Sequence, residues 1–451
     1  MSNLDARSTA IPNRHIVVWS LTSALAGFLF GFDTVVISGA EQTIQSLWSL
    51  SPGAHGFAMA STLYGTVIGA LIGSWPTDRF GRKPTLLVIG LLYLISAVLS
   101  ALAPDVQFFI LARLLGGLGI GISTVAAPLY ISEIAPARYR GLLTGSFQFN
   151  IVFGIVIAYL SNALLAPMGG DAWRWMLGVA AFPSALYAAL CLLLPESPRW
   201  LLAKKGDRAA GLRVLAMIEP QATQQQLESD ASGIMAAASG QKAGKRFWTR
   251  SLKTPILLAF LVALFNQLSG INAVLYFAPR LFELAGLSQQ AAMLQSVGIG
   301  VTFVIFTFIG LWLIDRLGRR TLLFIGSWGY LASLGLIAWA FFTHHFQVIP
   351  WGIFAFIAAH AVGQGTVIWV LISEVFPTQH RAEGQALGSF THWAFAALIT
   401  SFFPMAVSLV EPGYIFLFFF AMMVLQLIWV KTMVVETKGV PLEQMQQRFG
   451  Q

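Results

Sequence analysis

Twelve apolar stretches alternate with short polar segments along the chain, centred near residues 28, 65, 94, 118, 152, 184, 268, 302, 331, 362, 398 and 424. Each is about 20 residues long and, at about 1.5 Å of rise per residue, crosses a hydrocarbon layer roughly 30 Å thick. The pattern predicts an all-α polytopic membrane protein with twelve transmembrane helices. An even number of spans puts both termini on one side. The longest polar stretch, from about Arg199 to Lys253, separates spans six and seven, and its Lys, Arg, Gln and Ala content suggests short amphipathic helices on the membrane surface. The expected organisation is an N-terminal six-helix bundle over 1–195, a helical linker over 196–253, a C-terminal six-helix bundle over 254–436 and a tail over 437–451.

Composition removes whole classes of function. With 57% hydrophobic and 10% charged residues, 14 Trp and 35 Phe, the chain is too apolar for one water-soluble core. Of its 27 Lys and Arg, all but Arg113, Arg174 and Arg280 fall in the termini, at the adjoining helix ends or in alternate loops. The positive-inside rule makes that side the cytoplasm, so the expected location is the inner (plasma) membrane, multi-pass, with both termini cytoplasmic and the lipid bilayer as solvent. The net charge of +8 lacks the aromatic-basic interleaving of single-strand binders, which argues against nucleic acid. The single cysteine, Cys191, forms no intrachain disulfide; no H-E-x-x-H or convergent catalytic set is present, and no enzyme, metal or cofactor is expected. The polar opening from Met1 to Asn13, followed by an apolar run without a small-residue cleavage site, gives no removable signal peptide.

The two halves repeat. GSWPTDRFGRK (73–83) answers GLWLIDRLGRR (310–320), YISEIAPARYRG (130–141) answers LISEVFPTQHRA (371–382), and PESPR (195–199) answers VETKG (435–439). The offsets agree: 237 from Asp78 to Asp315, 241 from Glu133 to Glu374 and 240 from Glu196 to Glu436. Two related bundles with a site between them near the midplane suit transport by rocking.

Asp33 lies inside the first span, where an unpaired carboxylate is expensive enough to suggest function. Its expected partner is Arg113, because each sits about seven residues, or roughly 10 Å, from the outer end of its span. Burial raises a carboxylate's proton affinity and a nearby guanidinium lowers it, so relative movement of Arg113 would switch Asp33 between its two forms. A static ion pair is the alternative reading. In the repeated loops, Asp78, Arg79, Arg82, Asp315, Arg316 and Arg319 can bridge to Glu133, Glu196, Glu374 and Glu436, with Arg140, Arg199 and Arg381 nearby. The expectation is a cytoplasmic charge latch that holds the inside closed. Glycine stripes at Gly65, Gly69 and Gly73 and at Gly117 and Gly121 read as helix-packing features. GGLGIG (116–121) and GQKAGKR (240–246) lack the context of phosphate loops.

Span seven carries FNQLSGINAVLYFAP (265–279), dense in amides and small residues. Gln267, Asn272 and Tyr276 can face a cavity and bind a neutral polyhydroxylated ligand, each amide offering donors and an acceptor; interhelix packing is the competing reading. Gln148 in span five, Trp369 in span ten, and His392 with Trp393 in span eleven add polar and aromatic groups, an indole being suited to the apolar face of a sugar ring.

With these motifs in order, FGFDTVVISG, both DRxGR loops, ARLLGGLGIG, ISEIAPARYRG, PESPRWL, QLSGINAVLYFAP, SEVFP and ETKG, the chain resembles the sugar porter family of the major facilitator superfamily over nearly its whole length. The resemblance implies the major facilitator fold, a carrier functional as a monomer, and proton-coupled symport of a monosaccharide, hexose or pentose, by alternating access. Asp33 would be the proton site, since passive relatives commonly carry Asn there, and Arg113 its partner. It places Gln148, Gln267, Asn272, Tyr276, Gly365 and Trp369 on or beside the sugar, with Phe30 and Ile151 lining it. Departures touch substrate identity. Asn266 replaces the first of two glutamines, Phe303 an asparagine and Val435 a proline. His392 stands where Asn or Gln is usual, and GQGT (363–366) lacks the proline after Gly365, which would stiffen span ten. A facilitative uniporter, an inositol or polyol carrier and a non-transporting sugar sensor are the alternatives.

Overall fold

A computed structural model describes residues 13–136, 139–239, 247–377 and 380–438, with the side chains of Arg140, Gly141, Ala237 and Ser239 outside the description. Twelve helices among these residues are long and apolar enough to cross a membrane. We number them α1 (Arg14–Leu47), α2 (Pro52–Ile72), α3 (Arg82–Ala101), α4 (Val106–Ile134), α5 (Leu142–Met168), α6 (Ala172–Leu192), α7 (Arg250–Tyr276), α8 (Gln289–Leu317), α9 (Arg319–Phe342), α10 (Phe346–Val375), α11 (Arg381–Leu409) and α12 (Pro412–Thr432). All twelve expected centres fall inside them. Short helices over Arg208–Ile218 and Gln224–Ser239 lie between α6 and α7. The opening residues 1–12, the segment GQKAGKR up to residue 246, and the tail beyond Lys438 lie outside the described residues.

The spans are inside-out relative to a soluble helix. On α3, Val88, Leu91, Ile95 and Val98 face outward, whereas Arg82, Tyr93, Ser96 and Ser100 are buried. In hydrocarbon the outer face gains nothing by hiding apolar groups, so polar residues turn to neighbouring helices. Within the first half α1 packs on α5, α2 on α4, and α3 on both α4 and α6; within the second, α7 packs on α11 and α9 on α10 and α12. Two lateral seams join the halves, α2 against α11 and α5 against α8.

Glycine makes the closest of these contacts. A Cβ on Gly117 would run into the Thr62 carbonyl, and one on Gly121 into the Thr66 carbonyl, so α2 and α4 meet backbone to backbone. Two spans are broken where the site lies. In α7, Gly270 takes a left-handed conformation (φ 88°) and divides the span into Lys253–Leu268 and Ile271–Tyr276. In α10 a π-helical turn, Ala361–Gly365, interrupts the α-helix. The wide turn ends at Gly365, the residue after which the sequence lacks a proline.

Gly117→Leu is expected to lower the thermal unfolding midpoint in detergent, through overpacking of about 1–3 kcal/mol. Gly53→Leu, at a position where a Cβ meets nothing within 4 Å, is the matched control and should leave the midpoint unchanged.

Candidate functional site

The ion pair is buried between α1 and α4. Arg113 Nη1 donates to Asp33 Oδ1 at 2.6 Å and Nη2 donates to the Asp33 backbone carbonyl at 3.1 Å. Asp33 is 5% exposed and Arg113 1%. Asp33 Oδ2 and Arg113 Nε have no partner. α1 runs on to Leu47, so Asp33 lies deeper in its helix than the expected seven residues; the two groups nevertheless meet. Such a pair is strongly favourable only while both members are present, because either one left alone is an uncompensated buried charge.

Next to it, the amides of α7 interlock. Gln267 Nε2 donates to Asn266 Oδ1 at 2.9 Å and lies 3.2 Å from the ring nitrogens of His392, and Asn272 Nδ2 donates to Gln267 Oε1 at 2.6 Å. The aromatic wall is continuous: Trp369 to His392 (5.1 Å between centroids), His392 to Trp393 (4.6 Å) and Trp393 to Phe30 on α1 (5.4 Å). Ile151 packs by its backbone against Gly31, one residue from Phe30. Gln148 is half-buried on α5 and, among the described residues, makes no hydrogen bond to the α7 amides. The buried Tyr276 hydroxyl, on the same span as these amides, has no partner and lies near enough to Asp33 and Arg113 to feel their charges.

Gly365 sits against His360, which sequence reasoning passed over. His360 Nδ1 is 2.6 Å from Tyr330 OH, and Phe303 meets the ring edge-on at 5.8 Å. A histidine alone in an apolar span was the available signal.

On the linker side the repeated motifs build two matching braces. Arg82 donates to both oxygens of Glu133 (2.9 and 2.8 Å) and to Asp78 (3.2 Å); Arg319 does the same with Glu374 (3.0 and 2.8 Å) and Asp315 (3.0 Å). Glu196 accepts from the backbone N–H groups of Arg82 and Ser197, and Glu436 from those of Arg319 and Arg320, so each carboxylate caps the start of α3 or α9. Gly81 (φ 105°) and Gly318 (φ 91°) form the left-handed corners where a Cβ would strike these carboxylates. Burial lifts the Glu196 carboxyl above its usual range, while the backbone donors of Ser197, Lys83 and Arg82 pull it down.

Each brace closes within its own half, and among the described residues no ion pair of these motifs joins the two halves in this conformation. Its cation and acids come from helices of the same bundle, so in this conformation it ties those helices to one another. Arg79 and Arg199 are exposed and Arg316 stacks on Trp312 at 3.9 Å; Arg381 is half-buried, and the Arg140 side chain lies outside the described residues.

Among the described residues, the side-chain hydrogen bonds that cross between the halves lie toward the far end. Arg280 donates to both oxygens of the fully buried Glu41 (2.9 and 2.8 Å) and to Gln45 (2.6 Å), and His55 Nε2 lies 2.8 Å from Glu41. Gln42 donates to Glu283 at 3.1 Å, Tyr159 OH to the Leu275 carbonyl at 2.7 Å, and Tyr64 OH lies 3.0 Å from Ser401 Oγ. Sequence reasoning noted Arg280 only as a cation off the linker side and gave Glu41 and His55 no role.

The family described as sugar (and other) transporter matches residues 19–449. This chain belongs to that family. The transporter is 34% identical over 441 residues to the arabinose-proton symporter of Bacillus subtilis (strain 168), covering 96% of this chain and 94% of the relative. It is 32% identical to the D-xylose-proton symporter of Escherichia coli (strain K12), covering 97% and 96%. The inward-open structure of the xylose transporter from E. coli superposes with a TM-score of 0.85 at 30% identity, covering 96% of this chain and 99% of that one. The transporter's far-end contacts agree with a shape closed on that side.

Removing Arg280 leaves Glu41 buried with His55 alone. Arg280→Ala is expected to speed hydrogen–deuterium exchange of peptides spanning 41–47 and 277–284 at least about tenfold, given the roughly 3–5 kcal/mol at stake when one partner of a buried pair is lost. Exchange equal to that of the parent would show that the pair does not hold the far side shut.

Proposed function

We propose that this transporter carries a monosaccharide, hexose or pentose, together with a proton by alternating access, Asp33 being the proton carrier. The observation that bears most weight is the buried Asp33–Arg113 pair with one carboxylate oxygen free. The carboxylate of Asp33 pairs with Arg113; a proton on Asp33 would cancel the charge that Arg113 neutralises and free α4 to move against α1. Tyr276 couples this event to the sugar, since it belongs to the same broken span as Gln267 and Asn272. The amides of Asn266, Gln267 and Asn272, with Gln148 and His392, would hold sugar hydroxyls, while Trp369, Trp393 and Phe30 cover its apolar face and Ile151 and Gly365 shape the wall.

The distribution of Lys and Arg supports placing the linker side in the cytoplasm, with both termini there and the chain in the inner membrane as a monomer. On that reading the far-end contacts are extracellular and the conformation faces inward. The units that rock are 1–195 and 254–436, joined by 196–253, with 437–451 as a cytoplasmic tail. The symporter names of the two relatives point the same way.

Asp33→Asn is expected to abolish uphill sugar accumulation driven by a pH gradient in proteoliposomes, with counterflow exchange retained. Accumulation by this variant would remove Asp33 from the coupling. Gln267→Ala, which strips hydrogen bonds from Asn266, Asn272 and His392 as well as the ligand, is expected to raise KM about tenfold or more, read from concentration dependence of uptake.

A further inference from the structure

Resting on the reading of Asp33 as the proton carrier, we infer that Ser96 and Ser100 of α3 form the proton-entry ladder to its free carboxylate oxygen, a route apart from the sugar pocket. Both serines are fully or nearly fully buried, and neither hydroxyl has a partner. Serines inside other spans return their hydroxyl to a carbonyl of the preceding turn, as Ser184 does to Ala180, Ser296 to Ala292 and Ser327 to Leu323. The other unpartnered Ser and Thr hydroxyls among the described residues, at Ser20, Ser38, Thr62, Thr144 and Thr400, have no second one a turn away on their helix. Ser96 and Ser100 instead stand one turn apart on the same buried stripe of α3, about 6 Å from each other.

That stripe faces the ion pair. A Cβ built on Gly116 of α4 would lie 2.5 Å from Ser96 Oγ and 3.9 Å from Asp33 Oδ2, so both oxygens border the space that the missing side chain leaves. α3 and α4 run antiparallel: Gly119 meets Tyr93 and Gly116 meets Ser96, which sets Ser100 beside Ala112 and Arg113 one turn farther out. α3 ends at Ala101, whose carbonyl, with that of Ala103, accepts from Arg174 Nη1 at 2.7 and 3.1 Å. The ladder thus stops one residue short of the extracellular helix end, sealed in this inward-facing state.

The other half supplies an internal control. The 237-residue offset between Asp78 and Asp315 carries Tyr93 to Tyr330, Ser96 to Ser333 and Ser100 to Ile337. Ser333 is satisfied by the Gly329 carbonyl at 2.8 Å, and the second rung is aliphatic. The half without an intramembrane ion pair has no ladder.

A hydroxyl both accepts and donates, so a proton enters without leaving the serine charged. An external hydronium gives its proton to Ser100, which passes its own inward through a bridging water to Ser96, and Ser96 passes its own through a second water beside Gly116 to Asp33 Oδ2. The net change is carboxylate plus hydronium to carboxylic acid plus water, with both serines restored. The other titratable groups facing Asp33 are Arg113 on α4, Tyr93 on α3 and Tyr276 on α7. From α5 comes Tyr159, committed to the Leu275 carbonyl; from α6 come Tyr187, beside Tyr93, and Arg174 at the outer end.

The test is proton-driven uptake against external pH in proteoliposomes for the parent, Ser96→Ala, Ser96→Thr, Ser100→Ala, Ser333→Ala and Asp33→Asn, each rate divided by that variant's own counterflow rate. Ser96→Ala and Ser100→Ala, each removing one rung of the relay, should lower the normalised proton-driven rate about tenfold across the pH range. Ser96→Thr, which keeps the hydroxyl, and Ser333→Ala should follow the parent. Superimposable profiles for both alanine variants, beside an inactive Asp33→Asn, would overturn the ladder alone; accumulation by Asp33→Asn would overturn the reading beneath it.

Discussion

A carboxylate and a guanidinium shut away from water between α1 and α4 set the terms for everything around them. Neither charge is tolerable alone at that depth, so in the proposed mechanism a movement of α4 away from α1 is matched by a proton on Asp33. Arg113 holds the side chain by one oxygen and the Asp33 backbone carbonyl by a second bond. The second bond ties the guanidinium to α1 itself, so release of the charge also loosens a contact between helices. The other carboxylate oxygen is left for the proton.

The repeat explains how such a switch is mounted. Identical braces, Arg82 with Glu133 and Glu196 in one half and Arg319 with Glu374 and Glu436 in the other, stiffen each bundle at the linker side. Stiff bundles move as bodies, so a change at their interface is transmitted and not absorbed. Chemistry then departs from the symmetry. The first half carries the ion pair, the second carries the amides, and Tyr276, at the end of the broken α7, touches the concerns of both. At the far rim Glu41 and Arg280 fasten the same two bodies together, which leaves the opposite side free to part.

Much of this was written in the sequence. Hydropathy located the twelve spans, and the repetition of DRxGR with Glu133 and Glu374 announced the braces, because local spacing and helix ends constrain both. Residue identity did not reveal which bundle each acid would serve: a motif names possible partners, whereas brace or latch depends on where helices sit in a given state. Glu41 escaped notice because a glutamate near a helix end ordinarily stays hydrated, and its partner Arg280 lies 239 residues away. His360 and Tyr330, on different spans of the second half, met only through packing. The wide turn in α10 comes from tertiary fit, where the local GQGT sequence suggested stiffness.

The Asp33 proton itself is the quantity to observe. Infrared difference spectra of the reconstituted protein, taken on adding sugar at a pH where the sugar-free protein shows no protonated carboxyl, should develop a protonated-carboxyl band that is missing from Asp33→Asn. A spectrum unmoved by sugar, or one that changes equally in Asp33→Asn, would contradict the account.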